Sequence, residues 1–451
     1  MGRVTVPEAL FAPPLLILVL VMKFESLRFA DLLLAFLYFV YFIILLFVYV
    51  FGIGPIYEYM GFSVNFNMGK AIVSLFAIAC ILPFLRGGSK PSCFFLNMSA
   101  VLILIPSLVL YAGGDLPNYY ALVTAVACFI VAVTSYVVRV RTLRFFTITT
   151  LGLYRTMTAF SILIVLTIFL LGGGRNINFN IMAVYEFRGE AADNLPGIFG
   201  YINSIATKVF IPFAMVFAIQ NRRWLGLIIL VGLSILFFAL TSHKSPLFYP
   251  VVVIFAYGIA QFRNASIFML VSVLVVVLLS VIDIYAFTNG WGGYSGIFSS
   301  LFARRVILIP SLLNWFYMDF FEHAAKISWA NSKFTLGLIV SPYDAVAPKI
   351  IGFEYFNRED VSANTGWIGS GYANAGIVGV VAYSVLIGLL LSFLDAYSNR
   401  LGVRIVTAMF TLSVFTLLTS TDLATMLITH GLAISLLVLM ITRPVAQVKV
   451  F

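Results

Sequence analysis

Two adjacent arginines form the clearest chemical feature of the sequence. Arg304 and Arg305 stand directly before the apolar run 306–310. Guanidinium groups at the mouth of a hydrophobic segment are costly beside lipid unless an anion offsets their charge. Arginine binds phosphate oxygens through paired hydrogen bonds, so a diphosphate suits the pair. A lipid-headgroup anchor at the membrane interface is the open alternative.

Two further groups combine a cation with a residue that can exchange a proton. Arg188 and Glu190 flank one glycine, and together they could bind an anion and accept a proton. A local ion pair in a solvated loop, worth under about 1 kcal/mol, explains the spacing as well. In the turn 241–246, Lys244 could contact a phosphate and His243 could titrate. A helix end with cations reaching toward water is the alternative there.

The segment 357–376 contains residue types that recognise sugars. Arg358 and Asp360 are followed by Asn364 and Trp367, in a stretch rich in glycine. Asn and Asp side chains can hydrogen-bond sugar hydroxyls, Trp offers a ring face, and glycine permits close backbone approach. A glycine-rich helix-packing face accounts for residues 371–376, but less well for the polar residues before them.

The elements that must position these residues are membrane-spanning helices. The chain has 451 residues, of which 62% are hydrophobic and 10% charged, and its mean hydropathy is +1.08. Soluble domains carry about 25% charged residues. Apolar blocks near the spanning length of about 20 residues recur along the whole chain. They are 9–22, 32–53, 69–86, 95–112, 118–138, 153–172, 200–220, 224–241, 246–262, 266–286, 371–394, 403–419 and 422–441.

These blocks predict an all-α polytopic membrane protein with about 12–14 transmembrane helices in a single membrane domain, residues 1–451. The stretch 306–321 could be a further span or a buried helix. No signal peptide is apparent, because the first apolar block lacks a small-residue cleavage site.

Basic residues of the short loops predict the orientation. In an alternating arrangement they all fall on one side, which the positive-inside rule assigns to the cytoplasm together with the C-terminus. The loops concerned carry Arg86, Lys90, Arg139, Arg141, Arg144, Arg222, Arg223, Arg263, Arg400, Arg404, Arg443 and Lys449. The opposite side has two long loops, 173–199 and 287–370, whose arginines topology does not explain. An anionic ligand or acidic partners would explain them.

Several classes of chemistry lack a signal. The net charge of +10 is scattered and forms no basic stripe for nucleic acid. The three cysteines and three histidines show no ligand spacing, so no metal is predicted. No phosphate-binding glycine loop, dinucleotide turn or Asp-x-Asp pair occurs, and no cofactor is expected.

The sequence resembles the bacterial O-antigen polymerases of the Wzy type, which join oligosaccharide repeat units. The resembling segments are residues 57–61, the loop around Arg188, residues 302–310 and residues 363–376. The alternation of spans with two large arginine-bearing outward loops is also similar. The resemblance covers most of the chain, and its overall pattern is more specific than any one motif.

The resemblance implies a metal-independent, glycosyltransferase-C-like enzyme of the bacterial inner membrane, related to O-antigen ligase. It implies an undecaprenyl-diphosphate-linked glycan as donor, moved onto the next lipid-linked repeat unit at the periplasmic face. Membrane lipid surrounds such a protein, and a chain-length regulator is the implied protein partner; no nucleic acid is involved.

Site roles follow from this chemistry. Arg188, Arg304 and Arg305 would stabilise the leaving diphosphate, assisted by Lys244 and Arg358, while Asn364 and Trp367 would contact sugar. A general base must take the proton of the attacking hydroxyl, and a single displacement would invert the anomeric centre. The candidate bases are Glu190, Asp344, Asp360 and His323. We expect the site where loop 287–370 meets loop 173–199.

Two rival functions stay open. O-antigen ligase performs the same chemistry with a different acceptor. The ligases usually have a histidine in the large periplasmic loop, and His323 could be its counterpart here. A polyprenyl-linked oligosaccharide flippase or transporter would typically show short loops and internal repeats, which the sequence lacks.

Overall fold

The fold is built entirely from helices in the part of the chain that can be described. The computed structural model describes residues 29–85, 87–143, 145–171, 197–291, 296–330 and 337–443, with the single residues 174, 177, 179 and 335. Within these ranges there is no strand, and one isolated bridge joins Ile148 to Thr442. The predicted all-α class is confirmed.

Nine helices in the described ranges are long and apolar enough to cross a membrane. They are α1 (Phe29–Ile56), α3 (Pro91–Gly113), α4 (Asn118–Val137), α5 (Thr150–Leu170), α6 (Phe199–Gln220), α7 (Trp224–Thr241), α9 (Ala265–Thr288), α10 (Ile297–His323) and α12 (Trp367–Leu401). Their length and composition fit a multi-pass membrane protein.

The described part also contains six shorter α-helical segments and a 3-10 helix at Glu58–Met60. Four are apolar: α2 (Met68–Phe84), α8 (Ser245–Ile259), α13 (Val403–Thr419) and α15 (Leu432–Ile441). The other two are α11 (Ala347–Phe356) and α14 (Leu423–Ile428). The finer expectation of 12–14 spans stays a prediction, and the apolar block 9–22 lies outside the described residues.

Helix α3 is the centre of the bundle and α5 lies at its edge. The apolar window of α3 is 94% buried, whereas that of α5 is only 28% buried. A helix that is apolar all round and buried all round belongs to a core, while an apolar helix with exposed faces needs lipid to cover them. The contrast is the one expected of a bundle surrounded by membrane.

Several loops rich in basic residues gather at one end of the bundle. Arg443 N donates to Ile148 O at 2.8 Å, and Leu143 N donates to Tyr397 Oη at 3.2 Å. A cavity brings residues 88–94, 260–265 and 403–407 together. We call this the basic end, made of the described residues 85, 87–91, 138–143, 145–149, 220–223, 260–264, 400–404 and 442–443.

The opposite connections meet at the other end. Asn65 N donates to Gly113 O at 2.8 Å, and the Lys70 ammonium pairs with Asp115 at 2.5 Å. A second cavity joins residues 327–329, 346–348, 364–374 and 420–430. We call this the acidic end, made of the described residues 57–67, 113–117, 289–291, 296–330, 337–366 and 420–431.

Helix α10 enters and leaves the bundle at the acidic end, although its composition would allow it to span. In its first half, Arg304 Nη1 lies 3.1 Å from Met60 Sδ. Near its last turn, Asp319 Oδ2 accepts a hydrogen bond from Tyr355 Oη at 2.5 Å. Met60 follows α1 at this end, and Tyr355 belongs to the segment that leads into α12. The described residues on both sides of α10 therefore lie at the same end of the bundle.

Two apolar blocks predicted as continuous are interrupted at the acidic end. Helix α12 breaks at Ala375 (φ −150°, ψ 28°) and Gly376 (φ 59°, ψ −142°). The block 422–441 separates into α14 and α15, with Gly431 at φ 80° between them. Such breaks free backbone groups that lipid cannot satisfy, so in membrane proteins they occur where they line a cavity or are packed in protein.

Candidate functional site

A cavity of about 340 Å³ with both polar and apolar lining residues lies at the acidic end, beside both helix breaks. Its walls come from residues 327–329, the start of α11, the first half of α12 and the residues 420–430 around α14. We call it the acidic-end cavity. Its volume is that of a small-molecule site, and its lining mixes amides, hydroxyls and aromatic rings with one carboxylate and one imidazole.

Asp422 is the carboxylate of the cavity, and its orientation is fixed by two hydrogen bonds. Its Oδ2 accepts from Thr425 N at 3.1 Å, which caps α14. Its Oδ1 accepts from Tyr383 Oη at 2.8 Å. Tyr383 in turn accepts from Trp329 Nε1 at 2.8 Å. These hydrogen bonds from Trp329 to Tyr383 and from Tyr383 and Thr425 to Asp422 hold the half-buried carboxylate in one orientation. A general base needs such a fixed position relative to the proton that it accepts.

His430 is the imidazole of the cavity, and a lysine stands behind it. Lys208 Nζ lies 2.8 Å from His430 Nδ1, and Thr421 Oγ1 lies 3.4 Å from the same nitrogen. A protonated Lys208 can only donate, and with that partner Nδ1 accepts and the ring hydrogen lies on Nε2. Burial and then the neighbouring Lys208 lower the pKa of His430 from 6.5 to about 3. His430 is therefore a neutral hydrogen-bond donor at physiological pH.

The break in α12 supplies the amide wall of the cavity. Asn374 Oδ1 accepts from Trp329 N at 2.8 Å, and its Nδ2 donates to Ser370 O at 2.9 Å. Ile327 N donates to Ala373 O at 2.9 Å. The segment after α10 thus pairs with the backbone of α12 just before the break at Ala375. Hydrogen bonds within the protein therefore stabilise the helix break.

These groups define what the cavity can do chemically. Asn, Thr and Ser side chains can hydrogen-bond a polyhydroxylated molecule, and the indole of Trp329 can cover its apolar face. Asp422 can take a proton from a hydroxyl. His430 adds a ring N–H donor to the same cavity, and Lys208 lies directly behind it, 2.8 Å from its Nδ1.

Two of the residues predicted from sequence belong to this cavity or to its support. Asn364 is exposed and lines the cavity. Trp367 is fully buried, and its Nε1 donates to Ser384 Oγ at 3.1 Å. Trp367 therefore fixes the start of α12 within the protein, and its ring is not available to a sugar in this arrangement.

Arg304 and Arg305 lie in another part of the acidic end. Arg304 Nη2 donates to Ser300 Oγ at 2.8 Å, and its guanidinium lies 4.3 Å from the centroid of the Tyr57 ring. Its Nε is buried and hydrogen-bonds no described residue. Arg305 is exposed. The segments 57–61 and 302–310, which are far apart in sequence, are thus brought together around a guanidinium.

The remaining predicted residues lie outside the cavity or outside the described residues. Arg358 and Asp360 form an exposed ion pair at 2.5 Å, and that hydrogen bond holds the pKa of the Asp360 carboxyl below its usual range. Asp344 and His323 are exposed. Lys244 is partly buried and directly precedes α8. Arg188 and Glu190 lie outside the described residues, as does most of loop 173–199.

Sequence reasoning did not propose Asp422, His430 or Lys208 for the site. Lys208 did carry a signal, because an ionisable residue within an apolar span of membrane length marks a functional position. Asp422 stands between two apolar blocks, where a helix cap explains it as well as a catalytic group does. Their convergence with His430 depends on tertiary contacts that spacing does not reveal.

No metal centre is formed among the described residues, since they contain no group of three or more His, Cys, Asp or Glu side chains that could share an ion. A second polar group at this end joins Asp319 to Tyr355 and places Lys326 Nζ 5.0 Å from the Tyr372 ring. No known protein family, curated protein or solved structure matches the chain.

Proposed function

We propose that this protein is a membrane glycosyltransferase that lengthens a polyprenyl-diphosphate-linked glycan, in the manner of an O-antigen polymerase at the periplasmic face of the inner membrane. The observation that carries the proposal is the acidic-end cavity, where an oriented carboxylate and a lysine-backed imidazole line the same space. Glycosyl transfer from a diphosphate needs a base for the attacking hydroxyl and positive charge for the leaving group.

In the proposed reaction Asp422 accepts the proton of an acceptor hydroxyl as its oxygen attacks the anomeric carbon. The bond from that carbon to the diphosphate breaks, and the negative charge that develops on the leaving diphosphate is offset by Lys208 through His430. Asn364 and Asn374 hydrogen-bond sugar hydroxyls along the wall. One displacement of this kind inverts the anomeric centre.

The separate arginine group fits a polymerase in particular. A polymerase holds two lipid-linked substrates at once, so it needs a position for each diphosphate. In an inverting displacement the leaving diphosphate lies across the anomeric carbon from the attacking hydroxyl and its base but within the same site, so we assign it to His430, which lines the cavity with Asp422, and to Lys208 behind it. Arg304 and Arg305, which lie in the segment 302–310 beside residues 57–61, would then hold the diphosphate of the acceptor. A ligase, whose acceptor carries no lipid diphosphate, needs only the first position.

The decisive experiment supplies undecaprenyl-diphosphate-linked repeat units to the purified protein in detergent. We expect longer chains to form with the wild type, and turnover to fall by at least about 100-fold in Asp422→Asn, the loss typical of a missing general base. Asparagine is also a good helix cap, so α14 is retained. Asp344→Asn changes an exposed carboxylate at the same end and should keep full activity. Normal chain growth by Asp422→Asn would refute the assignment of the base.

A transporter of lipid-linked oligosaccharides is the second candidate, and the break in α12 favours it. Discontinuous helices near a polar cavity are common in transporters. Chain growth in detergent, where no gradient exists, would exclude this candidate as the sole activity. Movement of the lipid-linked substrate across vesicles without any lengthening would favour it over the polymerase.

A further inference from the structure

The basic end contains the larger of the two cavities that are described, at about 560 Å³. Three cationic side chains line it: Lys90, Arg263 and Arg404. No carboxylate is among its lining residues within the described ranges. The nearby Asp395 accepts from Ser92 N at 2.8 Å and from Ser92 Oγ at 2.6 Å, so its oxygens are committed to the start of α3.

Arg404 is held in place by groups that leave part of its guanidinium unused. Its Nε donates to Tyr257 O at 2.9 Å, and the guanidinium carbon lies 3.9 Å from the centroid of the Tyr257 ring. Its two terminal nitrogens make no hydrogen bond to a described residue. Because its Nε and the Tyr257 ring hold the guanidinium in one orientation, the two terminal nitrogens point in a fixed direction. Two parallel N–H donors of this kind match the oxygens of a phosphate.

The start of one helix at this cavity adds donors of the same sign. Helix α13 begins at Val403, which lines the cavity, and its start has no side-chain cap. An uncapped first turn exposes backbone N–H groups and carries partial positive charge. This helix start therefore adds to the charge of the three cationic side chains.

A buried hydroxyl supplies an independent observation. Thr407 lines the cavity and is 1% exposed, yet its Oγ1 hydrogen-bonds no described residue. A buried hydroxyl without a partner costs free energy, so such groups usually meet a ligand or a water molecule. In helices a threonine hydroxyl ordinarily bonds the preceding turn, as Thr411 does with Thr407 O at 2.7 Å.

We propose that this basic-end cavity binds a phosphate group, from either a phospholipid headgroup or a soluble phosphate ester. The positive-inside rule explains why cations are found at this end, but it does not require them to converge on a cavity. Arg223 carries the same topological signal and does not line it. The inference concerns the end opposite the proposed reaction and does not depend on that reaction.

The test uses the full chain purified in a maltoside detergent, which contains no phosphate, with inorganic phosphate and phosphatidylglycerol as separate probes. Binding is measured by native mass spectrometry and by titration. We expect the wild type to retain a phosphate-bearing adduct, and Arg263→Gln or Lys90→Gln to bind it about tenfold more weakly, as for loss of one charged hydrogen bond. Arg223→Gln is the matched control and should bind like the wild type.

Thr407→Val tests the hydroxyl separately. We expect about fivefold weaker binding, as for one neutral hydrogen bond, with no loss of thermal stability in the ligand-free protein because the hydroxyl has no described partner to lose. Retention of phosphatidylglycerol that phosphate does not displace would identify a lipid headgroup; binding of phosphate without lipid retention would identify a soluble ester. Equal loss in Arg223→Gln, or no binding of either probe, would overturn the proposal.

Discussion

At the scale of single residues, the acidic-end cavity combines a carboxylate with a neutral imidazole that contacts a buried lysine. Hydrogen bonds to Tyr383 and Thr425 fix the orientation of Asp422, and the contact with Lys208 fixes that of His430. Fixed orientation lowers the reorganisation that a reaction needs, which is the main way a protein stabilises developing charge. The same arrangement makes the residues individually testable.

The titration of His430 predicts how stability depends on pH. Its pKa falls from 6.5 in the unfolded chain to about 3 in the folded protein because of burial and Lys208. Below pH 6.5 the unfolded chain takes up a proton that the folded protein does not bind until about pH 3. Stability contributed by this site is therefore lost as pH falls through that interval. We expect the Tm of His430→Gln to decrease less steeply than that of the wild type between pH 6.5 and 4.5.

The control for this measurement is His323→Gln, since His323 is exposed at the same end of the bundle. It should retain the wild-type slope of Tm against pH. Parallel curves for the wild type and His430→Gln would show that His430 titrates alike in the folded and unfolded chain.

Arg305 tests the arginine part of the proposed function. The side chain is exposed, so Arg305→Ala should change Tm by no more than about a degree, as for most surface substitutions. If Arg305 holds a diphosphate, the variant should insert normally but lose long chains, which electrophoresis of the glycan product measures. Arg358→Ala removes an exposed arginine that is paired with Asp360 and should keep the wild-type ladder. Unchanged chain length in Arg305→Ala would remove this residue from the substrate site.

Residue types could be read from the sequence, but their partners could not. The pair Arg304–Arg305 stood out because its charge is costly beside an apolar run, and the folded chain brings Arg304 to Tyr57. Trp367 had the type of a sugar-binding residue, yet its indole is fully buried against α12. Lys208 and His430 lie 222 positions apart, so only the fold shows that their nitrogens are 2.8 Å from each other.

At the scale of elements, the interruptions of apolar helices explain where the polar site lies. Asn374 directly precedes the break in α12, and His430 lies in the connection between α14 and α15. Hydropathy averages over a window, so it predicted one continuous block at 371–394 and another at 422–441. It also could not show that α10, although apolar enough to span, enters and leaves at one end. The breaks depend on single glycines and on tertiary hydrogen bonds, which an average hides.

Gly431 provides the test at this scale. Its φ of 80° is strained for any side chain, and an added Cβ would lie 2.9 Å from Val209 Cγ2, next to Lys208. We expect Gly431→Ala to cost about 1–3 kcal/mol, seen as a lower Tm, and to reduce chain growth by separating His430 from Lys208. Gly258→Ala in α8 is the matched control, because nothing lies within 4 Å of the added Cβ there. Full activity in Gly431→Ala would show that this connection does not position the site.

At the scale of the whole molecule, the two ends of the bundle differ in charge and in the ligands they suit. The basic end presents Lys90, Arg263 and Arg404 around one cavity, while the acidic end holds Asp422 and the exposed carboxylates of the segment before α12. Alternation of the apolar blocks predicted that these loops would separate into two groups, and the contacts at each end agree with that separation. The side of the membrane on which each end lies is a prediction from charge.

That orientation can be measured with cysteines placed at the two ends. The positive-inside rule puts the basic end in the cytoplasm because cationic loops are retained there during insertion. In a background where Cys80, Cys93 and Cys128 are replaced, Asp344→Cys at the acidic end should react with a membrane-impermeant maleimide in intact spheroplasts. Arg223→Cys at the basic end should react only after detergent is added; both positions are exposed, so access through the membrane is the sole difference between them. The reverse labelling pattern would place the acidic-end cavity in the cytoplasm. Because the proposed reaction occurs at the periplasmic face, that result would contradict the polymerase as well as the orientation.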